Sequence, residues 1–104
     1  MSKIYISGPI SGHEPGERRE EFKKVQKLLE LQGYEVVNPM ENGLPPTADT
    51  CQHMKRDVEL ILQCDEIYMM KKWNHSAGCK LEFDLATAIG LPVIFEQVVG
   101  AKFV

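Results

Sequence analysis

The chain has 104 residues, 12 Lys+Arg against 15 Asp+Glu, a formal net charge of −3 at pH 7 and 43% hydrophobic residues. That length predicts one domain over residues 1–104, and the ordinary apolar share excludes a disordered or collagen-like chain. The mild acidity excludes a dedicated binder of polymeric nucleic acid, which needs a basic stripe against phosphates, but leaves room for a small anion at a helix N-terminus.

Ile4-Tyr5-Ile6 is β-prone and is broken by Ser7-Gly8-Pro9, which predicts a first strand. Helix formers dominate from about Glu17 to Gln32. Phe22, Val25 and Leu29 share one face with Leu28 on its edge, and Gly33 is the stop. Tyr34–Val37 reads as a second strand closed by Asn38-Pro39. Pro39, Gly43, Pro45 and Pro46 then predict a long irregular loop through residue 50. A second helix is expected from Thr50 or Cys51 to Gln63, with Met54, Val58, Ile61 and Leu62 as its apolar stripe. Cys64 to Met70 turns into a third strand, followed by the polar, aromatic loop Lys71–His75. The third helix is expected from near Ser76 to Ile89, with Leu81, Leu85, Ala88 and Ile89 inward. Gly90 ends it, Val93–Phe95 is a fourth strand, and Ala101–Val104 would add a short edge strand.

No segment approaches the roughly 18 apolar residues of a membrane span. The start reads as a strand and not as a signal peptide, so a cytoplasmic location is expected. Cys51, Cys64 and Cys79 lack Cys-x-x-Cys spacing and read as reduced, mostly buried thiols. His13, His53 and His75 offer no ligand pair at finger spacing, so no metal site is expected.

Strands alternating with helices imply an α/β fold: a Rossmann- or flavodoxin-like three-layer sandwich with a parallel sheet of four or five strands. In such sheets ligands bind beyond the carboxyl ends of the strands, at a switch in strand order. That rule selects the loops 7–16, 38–50 and 71–78. The first, Ser7-Gly8-Pro9-Ile10-Ser11-Gly12, is neither a Walker loop nor Gly-x-Gly-x-x-Gly. Its glycines suit either a tight strand-to-helix turn or the approach of backbone amides to a ligand. In Ser76-Ala77-Gly78-Cys79-Lys80-Leu81-Glu82, Ser76 is an N-cap candidate and the small residues leave the helix N-terminus open. Glu82 is either a complement to the helix dipole, worth under about 1 kcal/mol, or an inward carboxylate. Asp57 sits on the margin of the second helix's stripe. It is either an exposed partner of Lys55 or Arg56, or an inward group at the top of the sheet. Asp65, at the opposite end of its strand, reads as structural. Two inward carboxylates on neighbouring helices would suit acid–base or nucleophilic work on a glycosidic bond.

Tyr5-Ile6-Ser7-Gly8-Pro9-Ile10-Ser11-Gly12, Asn38-Pro39, Met54-Lys55-Arg56-Asp57, Cys64-Asp65 and Ser76-Ala77-Gly78-Cys79-Lys80-Leu81-Glu82 occur in that order. Together they resemble the nucleoside 2-deoxyribosyltransferase-like family, in particular its short branch, and deoxynucleoside 5′-monophosphate N-glycosidases. The resemblance spans roughly residues 4–95. It implies that Glu82 is the nucleophile, that Asp57 lies near base and sugar, and that Tyr5 orients Glu82. Gly8 and Ser76 would line the sugar and its 5′ end. Ser7, Pro9, Ile10, Asn38, Trp73 and Gly78 complete the expected substrate contacts, with Trp73 either stacking on a base or covering its loop. Near the C-terminus, where the family's transferases and hydrolases differ, no residue matches.

The expected function is therefore cleavage or transfer at the N-glycosidic bond of a 2′-deoxyribonucleoside or its 5′-monophosphate, without metal or organic cofactor. A covalent deoxyribosyl–Glu82 intermediate would carry it. The rival expectation is a non-catalytic module that binds or senses a nucleotide derivative. The expected partner is a small nucleoside or nucleotide, with no membrane and no polymeric nucleic acid. Self-association as a homodimer or higher homo-oligomer is expected too.

Overall fold

The computed structural model describes residues 2–45 and 47–97. Among these, β1 spans Lys3–Ser7, α1 Pro15–Leu31, β2 Glu35–Val37, α2 Thr50–Leu62, β3 Glu66–Met69, α3 Ala77–Ala88 and β4 Val93–Phe95. The expected strand at 101–104 lies outside the described residues. All pairings are parallel and the strand order is β2-β1-β3-β4. The order reverses at β1: the chain first steps to β2 on one side, then crosses back to β3 on the other. This is the Rossmann-like α/β architecture anticipated from the alternation of elements.

Each helix begins on a side chain that satisfies its free N–H groups. Glu14 accepts from the N–H groups of Gly16 at 3.0 Å and Glu17 at 2.7 Å, so α1 starts at Pro15, earlier than the pattern of helix formers predicts. Asp49 and Gln52 form a reciprocal capping box at α2. Ser76 Oγ accepts from Cys79 N–H at 3.3 Å to open α3. Gly33, at φ 95°, supplies the left-handed turn after α1.

Alternation along β1 divides the core between two faces. Ile4 and Ile6 join Tyr68 and Met70 against Phe22, Val25 and Leu29 of α1. Tyr5 joins Ile67 and Met69 against Ile61 of α2 and Cys79 and Ala86 of α3. Helices therefore cover both faces, which makes three layers.

The structure corrects five further local expectations. The loop after β2 is not wholly irregular. Pro39–Glu41 forms a 3₁₀ turn because Asn38 Oδ1 accepts from Met40 N–H at 2.9 Å and Pro39 supplies a preset φ. Trp73–His75 forms a second such turn. Leu62 is 57% exposed, and Cys51 is exposed as well. On α3 most of the expected inward stripe faces out, with Leu81 52% and Ile89 49% exposed and Ala88 also at the surface, while Leu85 stays half-buried against the core. The buried residues are Cys79, Glu82 and Ala86. The helix is turned by about 100°, the arc of one residue, from the orientation its leucines favour. The reason is polar: on this face β1 presents two hydroxyls that a carboxyl can bind and a leucine cannot.

Candidate active site

Tyr5 and Ser7 stand two residues apart on β1, so both point to the layer of α2 and α3. Above them Glu82 projects from α3. The Tyr5 hydroxyl donates to Glu82 Oε2 at 3.0 Å and the Ser7 hydroxyl to Oε1 at 2.6 Å. Each carboxyl oxygen is thus held by a different hydroxyl, which fixes the plane and position of the group. Glu82 is 6% exposed. Burial pushes its carboxyl up to about 7; the Asp57 charge adds to this, and the hydroxyls of Ser7 and Tyr5 oppose it. Tyr5 itself is raised well above the usual phenol range, first by burial and then by the charges of Glu82 and Asp57. It therefore stays protonated and serves as a donor.

Asp57 projects from α2 on the same side of the sheet and is 7% exposed. Its carboxyl is raised by burial, against the pull of the Asn42 hydrogen bond and the Arg56 charge. Asn42 Nδ2 donates to Asp57 Oδ1 at 3.2 Å. Burial thus raises both carboxyls, and the Asp57 charge raises Glu82 further. The group lies at the carboxyl end of β1, where the strand order reverses, which is where ligands of such sheets bind.

The structure thus brings together Tyr5, Ser7, Asp57 and Glu82 from the expected set. Ser76 and Gly78 sit close by at the start of α3; Gly78 faces Met54 of α2, and a Cβ added there would meet its sulfur at 3.6 Å, an ordinary contact. Other expected residues do different work. At Gly8 an added Cβ would lie 2.5 Å from Met70 Sδ and 3.0 Å from Phe22 Cζ, so this glycine is demanded by packing toward α1. Pro9 is buried and its carbonyl accepts from Arg18 Nε at 2.7 Å, while Ile10 is at the surface. Asn38 is committed on the α1 side: besides capping the 3₁₀ turn, it donates to Gln26 at 3.1 Å. It lines a surface groove of about 350 Å³ with Arg19, Lys23, Lys27 and Glu41, to which neither Asp57 nor Glu82 contributes. Trp73 packs on Phe83 and Phe95, with ring centroids 4.7 and 5.9 Å away, which favours the covering role.

Asn42 and His53 are the residues sequence reasoning missed. His53 stands four positions before Asp57, hence on the same helix face, and that spacing was the available signal. Asn42 sits in the proline-rich loop and had none beyond its Asn-Gly turn. Among the described residues, no group of three His, Cys, Asp or Glu side chains could hold a metal ion.

The family described as "Domain of unknown function (DUF4406)" matches residues 2–95. No curated protein matches the sequence. Among solved structures, a 2-deoxyribosyltransferase from the psychrotolerant bacterium Bacillus psychrosaccharolyticus has a similar fold, with a TM-score of 0.74 and 23% identity over 99% of this chain and 77% of that one. A conserved protein from Enterococcus faecalis V583 is similar at a TM-score of 0.72 and 24% identity, over 96% of this chain and 65% of that one. At such identities the likeness is one of fold.

Proposed function

The chain belongs to the family described as "Domain of unknown function (DUF4406)", and we propose that it is an enzyme acting at the N-glycosidic bond of a 2′-deoxyribonucleoside or its 5′-monophosphate. The observation that carries this reading is the buried Glu82 carboxyl, gripped by the hydroxyls of Tyr5 and Ser7 with Asp57 in the same site. The fold shared with a 2-deoxyribosyltransferase supports it.

In the proposed reaction the ionised Glu82 attacks C1′. The C1′–N bond breaks, its electron pair leaves with the base, and Asp57 gives the base a proton. An oxocarbenium-like transition state leads to a deoxyribosyl ester on Glu82. A second base or water then attacks C1′, and Glu82 leaves. Asp57 recovers a proton from the attacking group, so configuration at C1′ is retained. Tyr5 and Ser7 orient the nucleophile. The sugar and its 5′ end lie toward Ser76, Gly78 and the turn after β1, where helix-end amides are free to donate. Trp73 covers the loop beside them.

We read the chain as a single domain that works in the cytoplasm without a cofactor and associates with a second copy of itself. All three cysteines are free, and no described helix is long and apolar enough to cross a membrane.

The test is incubation with 2′-deoxyribonucleosides, with and without their 5′-phosphates, and chromatographic detection of free base. Release by the wild type and its loss in Glu82→Ala is the expected result. Tight nucleotide binding without release would identify a binding module instead.

A further inference from the structure

Asn42 is buried, and each polar atom of its side chain is engaged. Its Oδ1 accepts from the backbone N–H of Leu44 at 3.1 Å, which settles which end of the amide carries the oxygen. Its Nδ2 then faces two α2 side chains one turn apart: Asp57 Oδ1 at 3.2 Å and His53 Nδ1 at 3.0 Å. The Asn42 carbonyl is tied to α2 as well, through Arg56 Nε at 3.1 Å. Because Nδ2 can only donate, the His53 Nδ1 beside it is a lone pair. The imidazole is therefore neutral and carries its proton on Nε2.

We propose that Asn42 and His53 are a positioning pair for Asp57: the Asn42 amide claims Oδ1, so that the acid proton sits on Oδ2, and neutral His53 holds the amide in that orientation. This rests on the reading of Asp57 as proton donor to the leaving base. A protonated carboxyl accepts best at its carbonyl oxygen, and Asn42 selects Oδ1 for that part. When the proton on Oδ2 passes to the base nitrogen, Asp57 becomes a carboxylate. The Asn42 N–H already faces the oxygen on which charge develops, and a preorganised donor of this kind lowers the barrier.

The arrangement also links the site to pH. The charged and titratable groups facing Asp57 are His53 and Arg56 of its own helix, Tyr5 of β1 and Glu82 of α3. A proton added to His53 Nδ1 would point at the Asn42 amide, donor against donor. The amide must then turn away and Asp57 loses its partner. The rate falls with falling pH because Glu82 takes up a proton.

Two measurements test the pair. Imidazole nitrogen NMR of the neutral protein should find His53 in the Nε2–H form in the wild type. In Asn42→Asp, which replaces the donor by an acceptor, it should move to the Nδ1–H form. In base release, Asn42→Ala should lower kcat about tenfold or more with KM largely kept. His53→Gln, which keeps an acceptor beside the amide, should restore much of the activity lost in His53→Leu. An Nδ1–H wild type, a tautomer unmoved by Asn42→Asp, or equal His53→Gln and His53→Leu rates would each overturn the proposal. If the wild type released no base at all, the enzymatic reading would fail while the tautomer would still decide whether the pair exists.

Discussion

A buried carboxyl held at a pKa of about 7 keeps its proton where a surface glutamate has lost it, and Glu82 is such a group. In the unfolded chain its value returns to about 4.5. Between those values the folded state binds more protons than the unfolded one, so the Glu82 contribution to stability falls as pH rises from about 4.5 through about 7. A shift of this size corresponds to something on the order of 3 kcal/mol of strain when Glu82 is ionised. Glu82→Gln keeps the shape and the hydrogen-bonding oxygen but cannot ionise. It should melt at a higher temperature than the wild type at pH 8 and at nearly the same temperature at pH 4, while releasing no base. Equal melting temperatures at pH 8 would mean that Glu82 is not held in a dry site. Tyr5→Phe removes one of the two hydroxyls that grip the carboxyl and leaves Ser7 in place, so a partial loss of kcat is expected, smaller than that of Glu82→Ala.

At the scale of elements, strand positions and the starts of α2 and α3 were legible because they follow from local chemistry, whereas the start of α1 at Pro15 was not. Ile4-Tyr5-Ile6 followed by Gly8-Pro9 reads as a short strand and a break, and Ser76 before small residues is an N-cap candidate. The rotation of α3 was not legible. Its leucines define a stripe of helical period, and nothing local shows that Tyr5 and Ser7, some seventy-five residues away in sequence, will bind a carboxyl and turn Leu81 outward. The conflict between pattern and structure therefore falls where the proposed chemistry is, as expected for a site that departs from simple apolar burial. The part played by Asn42 was hidden for the same reason, since its partners His53 and Asp57 come from a different element. Because the capping box at Asp49 fixes the start of the helix that carries Asp57, Asp49→Ala should cost about 1 kcal/mol. A thermal melt should show this as a fall of roughly 4–8 °C; an unchanged melt would show that packing alone sets the start of α2.

For the whole molecule, the outward turn of α3 exposes Leu81, and Leu62 of α2 is exposed as well. Met54 and Val58 border a surface groove of about 420 Å³ on α2. Apolar side chains on two adjacent helices are the kind of surface a homodimer buries, and we expect the chain to associate with a second copy there. Light scattering at micromolar concentration should give at least twice the mass of one chain, and Leu62→Asp with Leu81→Asp should return it to one; a wild type that scatters as a single chain would refute this. The parallel sheet with its order reversal at β1 puts Glu82 and Asp57 at the switch point, and the account stands on what Glu82 does there. The most direct test is mass spectrometry of the protein quenched during incubation with a 2′-deoxyribonucleoside. A deoxyribosyl adduct is expected on the peptide containing Glu82, absent in Glu82→Gln. Base release with no adduct, or with the adduct on another residue, would contradict it.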